Sequence, residues 1–243
     1  MPDRLHLDGV WPGPVTVRRG WAKALARPWN DDFPDPALRL ERGSHEFLRA
    51  VAELLGPRGS GTVYSPALYP SATKVWTSAG FTLFRLLDVM ELTLGADVRP
   101  PEHEMEATTA PDWRPLVAID RLAFDGFWRM SEAGLIEAMS ATPRATVLTA
   151  RVDEELAGYS LVGSQMTVSY LQRVAVAPSF TGRGVGGSLV RASAQWASKR
   201  GSRALVLNLR PENDRARRLY EREGFQARET SLHLLRYEHD HPQ

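Results

Sequence analysis

The chain has 243 residues, 43% of them hydrophobic, so it is long enough for one large or two small domains with a buried core. Its 30 basic and 29 acidic side chains leave a formal net charge of only +1, which offers nucleic acid no electrostatic footprint. Cysteine is absent, and this excludes disulfides, thiolate-ligated zinc and a thioester on the enzyme itself. No apolar run approaches the roughly 20 residues of a membrane-crossing helix. The opening "MPDRLHLDGV" also lacks a charged-then-apolar signal pattern, so a cytoplasmic protein without a membrane partner is expected.

In chain order, "HEFLRAVAELL" (45–55) reads as helix and "GTVYSP" (61–66) as strand, followed by a helical "SATKVWTSAG" (71–80) and a strand-like "FTLFRLLDVMELTL" (81–94). The polar, proline-rich "GADVRPPEHEMEATTAPDWRP" (95–115) reads as a linker, dividing the chain into residues 1–103 and 104–243. Beyond it, Phe124, Phe127 and Trp128 fit either helix packing or a cleft lining. "TVLTARVDEELAGYSLVG" (146–163) reads as a hairpin that turns in a solvated acidic stretch, Asp153-Glu154-Glu155.

"MTVSYLQRVAVA" (166–177) favours strand, with Val174 and Val176 alternating onto one face, and Pro178 ends it. Gly182, Gly184, Gly186 and Gly187 then lead into a segment where Val185, Leu189, Ala192 and Trp196 recur at helical spacing up to a stop at Gly201. Strand, glycine loop and helix N-terminus in this order suit an anion such as a pyrophosphate, because the first helical turn has free N–H groups and glycine lets the anion approach. Arg183 would add a charge-assisted hydrogen bond, worth about 1.5–3 kcal/mol. A plain strand-to-helix connection fits the loop alone equally well, and it is neither a GxGxxG nor a GxxxxGKS motif. In "ALVLNLRPENDRARRLYEREGF" (204–225) a strand is followed by a short helix between an N-cap at Asn213 and a stop at Gly224. The seven residues from Asn213 to Tyr220 put both on nearly one helix face.

Together these two segments resemble the GCN5-related N-acetyltransferase (GNAT) family, over about residues 105–237, and "LNLRPENDRARRLYEREGF" is most similar to the subgroup that acetylates protein N-termini, the ribosomal-protein alanine acetyltransferases. The resemblance implies an α/β (α+β) fold with a mixed central sheet flanked by helices, and acetyl-CoA as co-substrate without a metal. It also implies that backbone groups of Val174, Ala175 and Val176 pair with the pantetheine arm. Gly182, Arg183, Gly184, Val185, Gly186 and Gly187 would cradle the pyrophosphate, Asn213 would touch the coenzyme, and Tyr220 would protonate the departing thiolate. The expected reaction is direct acetyl transfer, in a ternary complex, to a primary amine: a small metabolite or a protein N-terminus. The alternative is a non-catalytic acyl-CoA-binding or regulatory protein.

Two positions depart from the family pattern. Thr181 opens the loop where Gln or Arg is usual, and Asn208 stands where the subgroup has its Glu general base. A neutral amide cannot take the ammonium proton. Tyr170, Asp125, Glu132 and Glu212 lie near the expected cleft.

Shifting the chain by 144 positions sets Ala72, Trp76, Gly80 and Phe81 against Ala216, Tyr220, Gly224 and Phe225. Pro34 then meets Pro178, and Gly43-Ser44 meets Gly187-Ser188. The N-terminal part therefore reads as a smaller, degenerate GNAT-like half, an arrangement that resembles tandem acetyltransferases. Its site would be broken, with Leu40 and Arg42 in place of Gly184 and Gly186, Glu41 beside them, and Trp76 in place of Tyr220. At the C-terminus, His239, Asp240 and His241 suggest a metal, but a frayed polar end explains them better.

Overall fold

The computed structural model describes residues 4–95 and 98–239, so Asp240 and His241 lie outside the described residues. Two compact units are present, Met1–Leu87 with Thr230–Gln243, and Asp88–Glu229. The boundaries of these units fall inside two strands, between Leu87 and Asp88 and between Glu229 and Thr230.

The first unit contains β1 (His6–Asp8), β2 (Val15–Arg19), β3 (Ala22–Pro28), β4 (Pro36–Arg42), α1 (His45–Leu55), β5 (Thr62–Leu68), α2 (Lys74–Ser78), the start of β6 (Thr82–Thr93), and residues 230–238 of the last strand, β12 (Gln226–Glu238). Strands β1 to β4 pair antiparallel in sequence order, β4 meets β5 in parallel at Ala37↔Tyr64, and β5 pairs antiparallel with β12. Alternation explains the early strands: Val15, Val17, Ala22, Ala24 and Ala26 point into a core with Phe47, Leu48, Val51 and Leu55 of α1. Ser44 caps α1 by accepting from Phe47 N.

The second unit continues with β7 (Glu104–Thr108), α3 (Trp113–Ala123), α4 (Glu132–Ser140), β8 (Arg144–Val152), β9 (Glu155–Gln165), β10 (Val168–Val176), α5 (Val185–Ser198), β11 (Ala204–Leu209) and α6 (Asp214–Arg222). Its sheet runs β7-β8-β9-β10-β11, with residues 88–93 of β6 completing it beyond β11, and only β10 and β11 are parallel. Strand β9 is buried without a break from Ala157 to Ser164, as a strand covered by helices on both faces must be: α5 lies against it, and so do α3 and α4. The hairpin turn has the acidic pair Asp153 and Glu154 at φ 51° and 66°, a left-handed pair matched to the strand twist.

Two expectations change. The linker is shorter than 95–115, because Glu104–Thr108 is a strand on β8 and α3 begins at Trp113, capped by Asp112. Met105 supplies the apolar anchor within that polar stretch. The 144-residue shift holds from α1 onward and fails before it. Helices α1 and α5 end at corresponding positions, as do α2 and α6, and β6 corresponds to β12. Trp76 and Phe81 pack edge-on at 4.9 Å where Tyr220 and Phe225 pack tilted at 5.6 Å, with Gly80 and Gly224 at φ 98° and 91° between them. Pro34, however, precedes β4, whereas Pro178 follows β10, and Leu40 to Arg42 lie within β4 itself. The first unit therefore lacks a counterpart of the glycine loop, and only Gly43 and Ser44 join β4 to α1.

Candidate active site

Strands β10 and β11 pair only from Val168↔Ala204 to Tyr170↔Val206. A bulge between Leu171 and Arg173, measured against β9, bends β10 at the point where this pairing stops. From there Val174, Ala175 and Val176 stay bonded to β9 but have no partner on β11, while Asn208 and Leu209 pair with β6 on the other side. Between the two strands lies a wedge edged by unpaired backbone amides and carbonyls, which an extended amide-bearing chain can fill as a strand would.

The wedge leads to the glycine loop. Gly182 and Gly184 sit at φ 83° and 78°, which a side chain would strain, and a Cβ on Gly182 would meet nothing within 4 Å. Gly184 is the N-cap of α5 and no side chain bonds to that end, so the N–H groups of Val185, Gly186 and Gly187 open the helix without a side-chain cap. Those features fit an anionic group well. Arg183 stands at the outer edge, half exposed, over the Phe180 ring at 5.4 Å.

Across the wedge, Asn213 caps α6, its Oδ1 accepting from Ala216 N at 3.1 Å, which leaves the side-chain NH₂ to donate elsewhere. Tyr220 is partly buried in the last turn of α6, beside the core that includes Val174 as a bordering residue. Burial pushes its hydroxyl up to about 12, against a smaller opposing pull from the Arg173 charge. The phenol therefore keeps its proton at neutral pH and can give it to a leaving thiolate.

Sequence reasoning missed the network beneath this strand. Asp120 of α3 is fully buried and accepts four hydrogen bonds: from Tyr159 Oη (2.8 Å), Arg173 Nε (2.7 Å), Arg173 Nη2 (2.7 Å) and Met130 N (2.7 Å). Arg173 also donates to Trp128 O at 2.7 Å and lies over the Phe124 ring at 3.4 Å. The signal was present, because Asp120 falls four residues after Leu116 on the apolar face of α3, where a carboxylate must have partners. Four donors fill the lone-pair sites of a carboxylate, so Asp120 positions Arg173 and has no capacity left for a substrate proton.

The three carboxylates expected near the cleft do not take the base role by their contacts. Asp125 pairs with Arg210, at the end of β11, at 2.9 Å, while Glu132 and Glu212 are exposed in the first turn of α4 and the turn before α6. Tyr170 is partly buried on β10, and Asn208 is exposed on β11. Phe124, Phe127 and Trp128 cluster in the α3–α4 connection, Phe127 edge-on to Trp128 at 5.2 Å. Among the described residues no cluster of side chains could hold a metal ion, and no helix is long and apolar enough to cross a membrane.

Residues 113–225 match the acetyltransferase (GNAT) family, a span that begins at α3 and ends one residue after Gly224. The chain is 28% identical over 128 residues to uncharacterized N-acetyltransferases of Mycobacterium bovis and Mycobacterium tuberculosis, covering 52% of this chain and 81% of theirs. Among solved structures, a tandem GNAT protein from the clavulanic acid biosynthesis pathway superposes with a TM-score of 0.62 at 17% identity, over 100% of this chain and 86% of that one. A putative GNAT acetyltransferase from Novosphingobium aromaticivorans superposes with a TM-score of 0.56 at 19% identity, covering 85% of each chain. The fold is thus GNAT-like throughout, and the match to the GNAT acetyltransferase family lies wholly within the second unit.

Proposed function

We propose that the chain transfers acetyl directly from acetyl-CoA to a primary amine, in a ternary complex formed at the wedge between β10 and β11. The wedge itself carries the proposal, because a strand left unpaired from Val174 to Val176 that runs into an uncapped glycine-rich helix end matches a pantetheine arm followed by a pyrophosphate. The backbone of Val174 and Val176 would hold the arm, Gly182 to Gly187 with Arg183 the pyrophosphate, and the free amide of Asn213 the coenzyme's middle. The acetyl-CoA thioester carbon then lies where the strands part. The amine nitrogen attacks that carbon, the tetrahedral intermediate collapses with cleavage of the C–S bond, and Tyr220 donates its proton to the thiolate.

With Asp120 filled and Asn208 neutral, the acceptor reaches the thioester as the free amine or loses its proton through water at Asn208. Both a small metabolite and a peptide N-terminus fit that chemistry. In this reading the functional division of the chain is that of residues 1–103 and 104–243, the first a degenerate half without a coenzyme site. Incubation with labelled acetyl-CoA and a panel of small amines and peptide N-termini tests the proposal. N-acetylated product is expected, and tight acetyl-CoA binding without product on any amine would overturn it.

A further inference from the structure

The segment leading into β7 crosses the front of the coenzyme helix. Val98 O accepts from Gln195 Nε2 at 3.5 Å, and Arg99 reaches Arg222 O and Glu223 Oε2 at 2.9 and 3.0 Å. Glu102 N then donates to the fully buried Ser188 Oγ at 3.0 Å, and His103 Nδ1 lies 2.8 Å from the same oxygen. The bonds to Gln195 and Ser188 climb α5 towards its first turn while Arg99 anchors on the end of α6, and a pocket lined by Leu92, Val98, Arg99, Val190, Arg191 and Glu223 lies beneath them, so the strap does not pack flush on the helix.

Glu102 is where the strap meets the cradle. Its Oε2 and the Cε1 of His103 both lie 3.6 Å from the point where a Cβ on Gly184 would sit, beside the uncapped end of α5. Its Oε1 binds Arg191 Nη1 at 2.5 Å. That arginine is also held from Nε and Nη2 by Glu223, so its position does not depend on Glu102. A carboxylate satisfies the partial positive charge of a helix start as a phosphate does. Glu102 is mostly exposed on an arm of the chain and therefore easily displaced, and the bond from Arg191 keeps its carboxyl below the usual range, so it is an anion at neutral pH.

Resting on the acetyl-CoA reading above, we propose that Glu102 is an anionic placeholder at the phosphate cradle, exchanged for a coenzyme phosphate that takes over its bond to Arg191. Glu102 then opposes coenzyme binding by like-charge repulsion, while Arg191 becomes a phosphate ligand already fixed in place by Glu223.

Calorimetric titration of acetyl-CoA into the wild type, Glu102→Gln and Glu102→Ala tests this, with S-acetylpantetheine, a donor without phosphates, as the comparison. Both variants should bind acetyl-CoA about five-fold more tightly, the effect of one unit charge at about 4 Å in water. Binding of S-acetylpantetheine should not change. The gain should disappear in a Glu102→Gln/Arg191→Gln double variant; where that variant does not fold, the single variants decide. Unchanged or weaker acetyl-CoA binding by both single variants, an equal gain for the phosphate-free donor, or a gain kept in full without Arg191 would overturn the placeholder. No acetyl-CoA binding by the wild type or by either variant would instead remove the coenzyme reading on which it rests.

Discussion

Burial acts in opposite ways on two polar groups that the Arg173 charge reaches, Tyr220 and Asp120. Tyr220 has its hydroxyl pKa pushed up to about 12 by desolvation, so its protonated form, the one that the proposed transfer needs, persists well past the ordinary tyrosine value of about 10. Its contribution is present below the raised value and is lost only as pH climbs through it. We therefore expect kcat, followed from pH 7 to 11, to show no alkaline decline with a midpoint below 10; a decline centred at 9 would contradict the assignment. Asp120 is committed to four donors and acts through Arg173. Replacing it with Ala leaves the Arg173 charge uncompensated and should cost about 3–5 kcal/mol of unfolding free energy in urea titrations. Tyr159→Phe removes one donor of the four and should cost less, about 1–3 kcal/mol. Equal losses would show that the carboxylate is not the centre of the network.

At the scale of elements, a bulge and a pair of glycines shape the candidate site. The bulge after Leu171 separates β10 from β11, and the left-handed Gly182 and Gly184 turn the chain into an uncapped helix. Much of this was legible in the sequence, because glycines, helix caps and hydrophobic spacing are local signals: the helix start at Val185, the Asn213 cap and the Gly224 stop all stand where the spacing put them. The Asp120–Arg173–Tyr159 network was not, since its members are separated by 39 and 53 residues and meet only once the sheet forms. Strand β7 was hidden for a related reason: Glu104 and Glu106 face outward on an edge strand, so little beyond Met105 distinguishes it from a polar linker. The ungapped repeat also misled before α1, where the first half lacks the loop segment and an unbroken shift set β4 residues against the cradle.

For the whole molecule, two units follow one plan of antiparallel strands, a parallel pair and a closing antiparallel strand, but of the two the second alone has the glycine loop before its helix and a hydroxyl at the position of Trp76. One acetyl-CoA per chain is the expected calorimetric stoichiometry; two would show that the first unit retains a site despite the lost loop. The central claim, direct acetyl transfer with Tyr220 as proton donor, is tested most directly by comparing kcat for N-acetylation of an amine by the wild type and Tyr220→Phe, a change that keeps the ring packing on Phe225. The account predicts acetylation by the wild type and a kcat about 10²–10⁴-fold lower in the variant, the usual scale for a positioned general acid, with acetyl-CoA affinity little changed; a variant as fast as the wild type would contradict it.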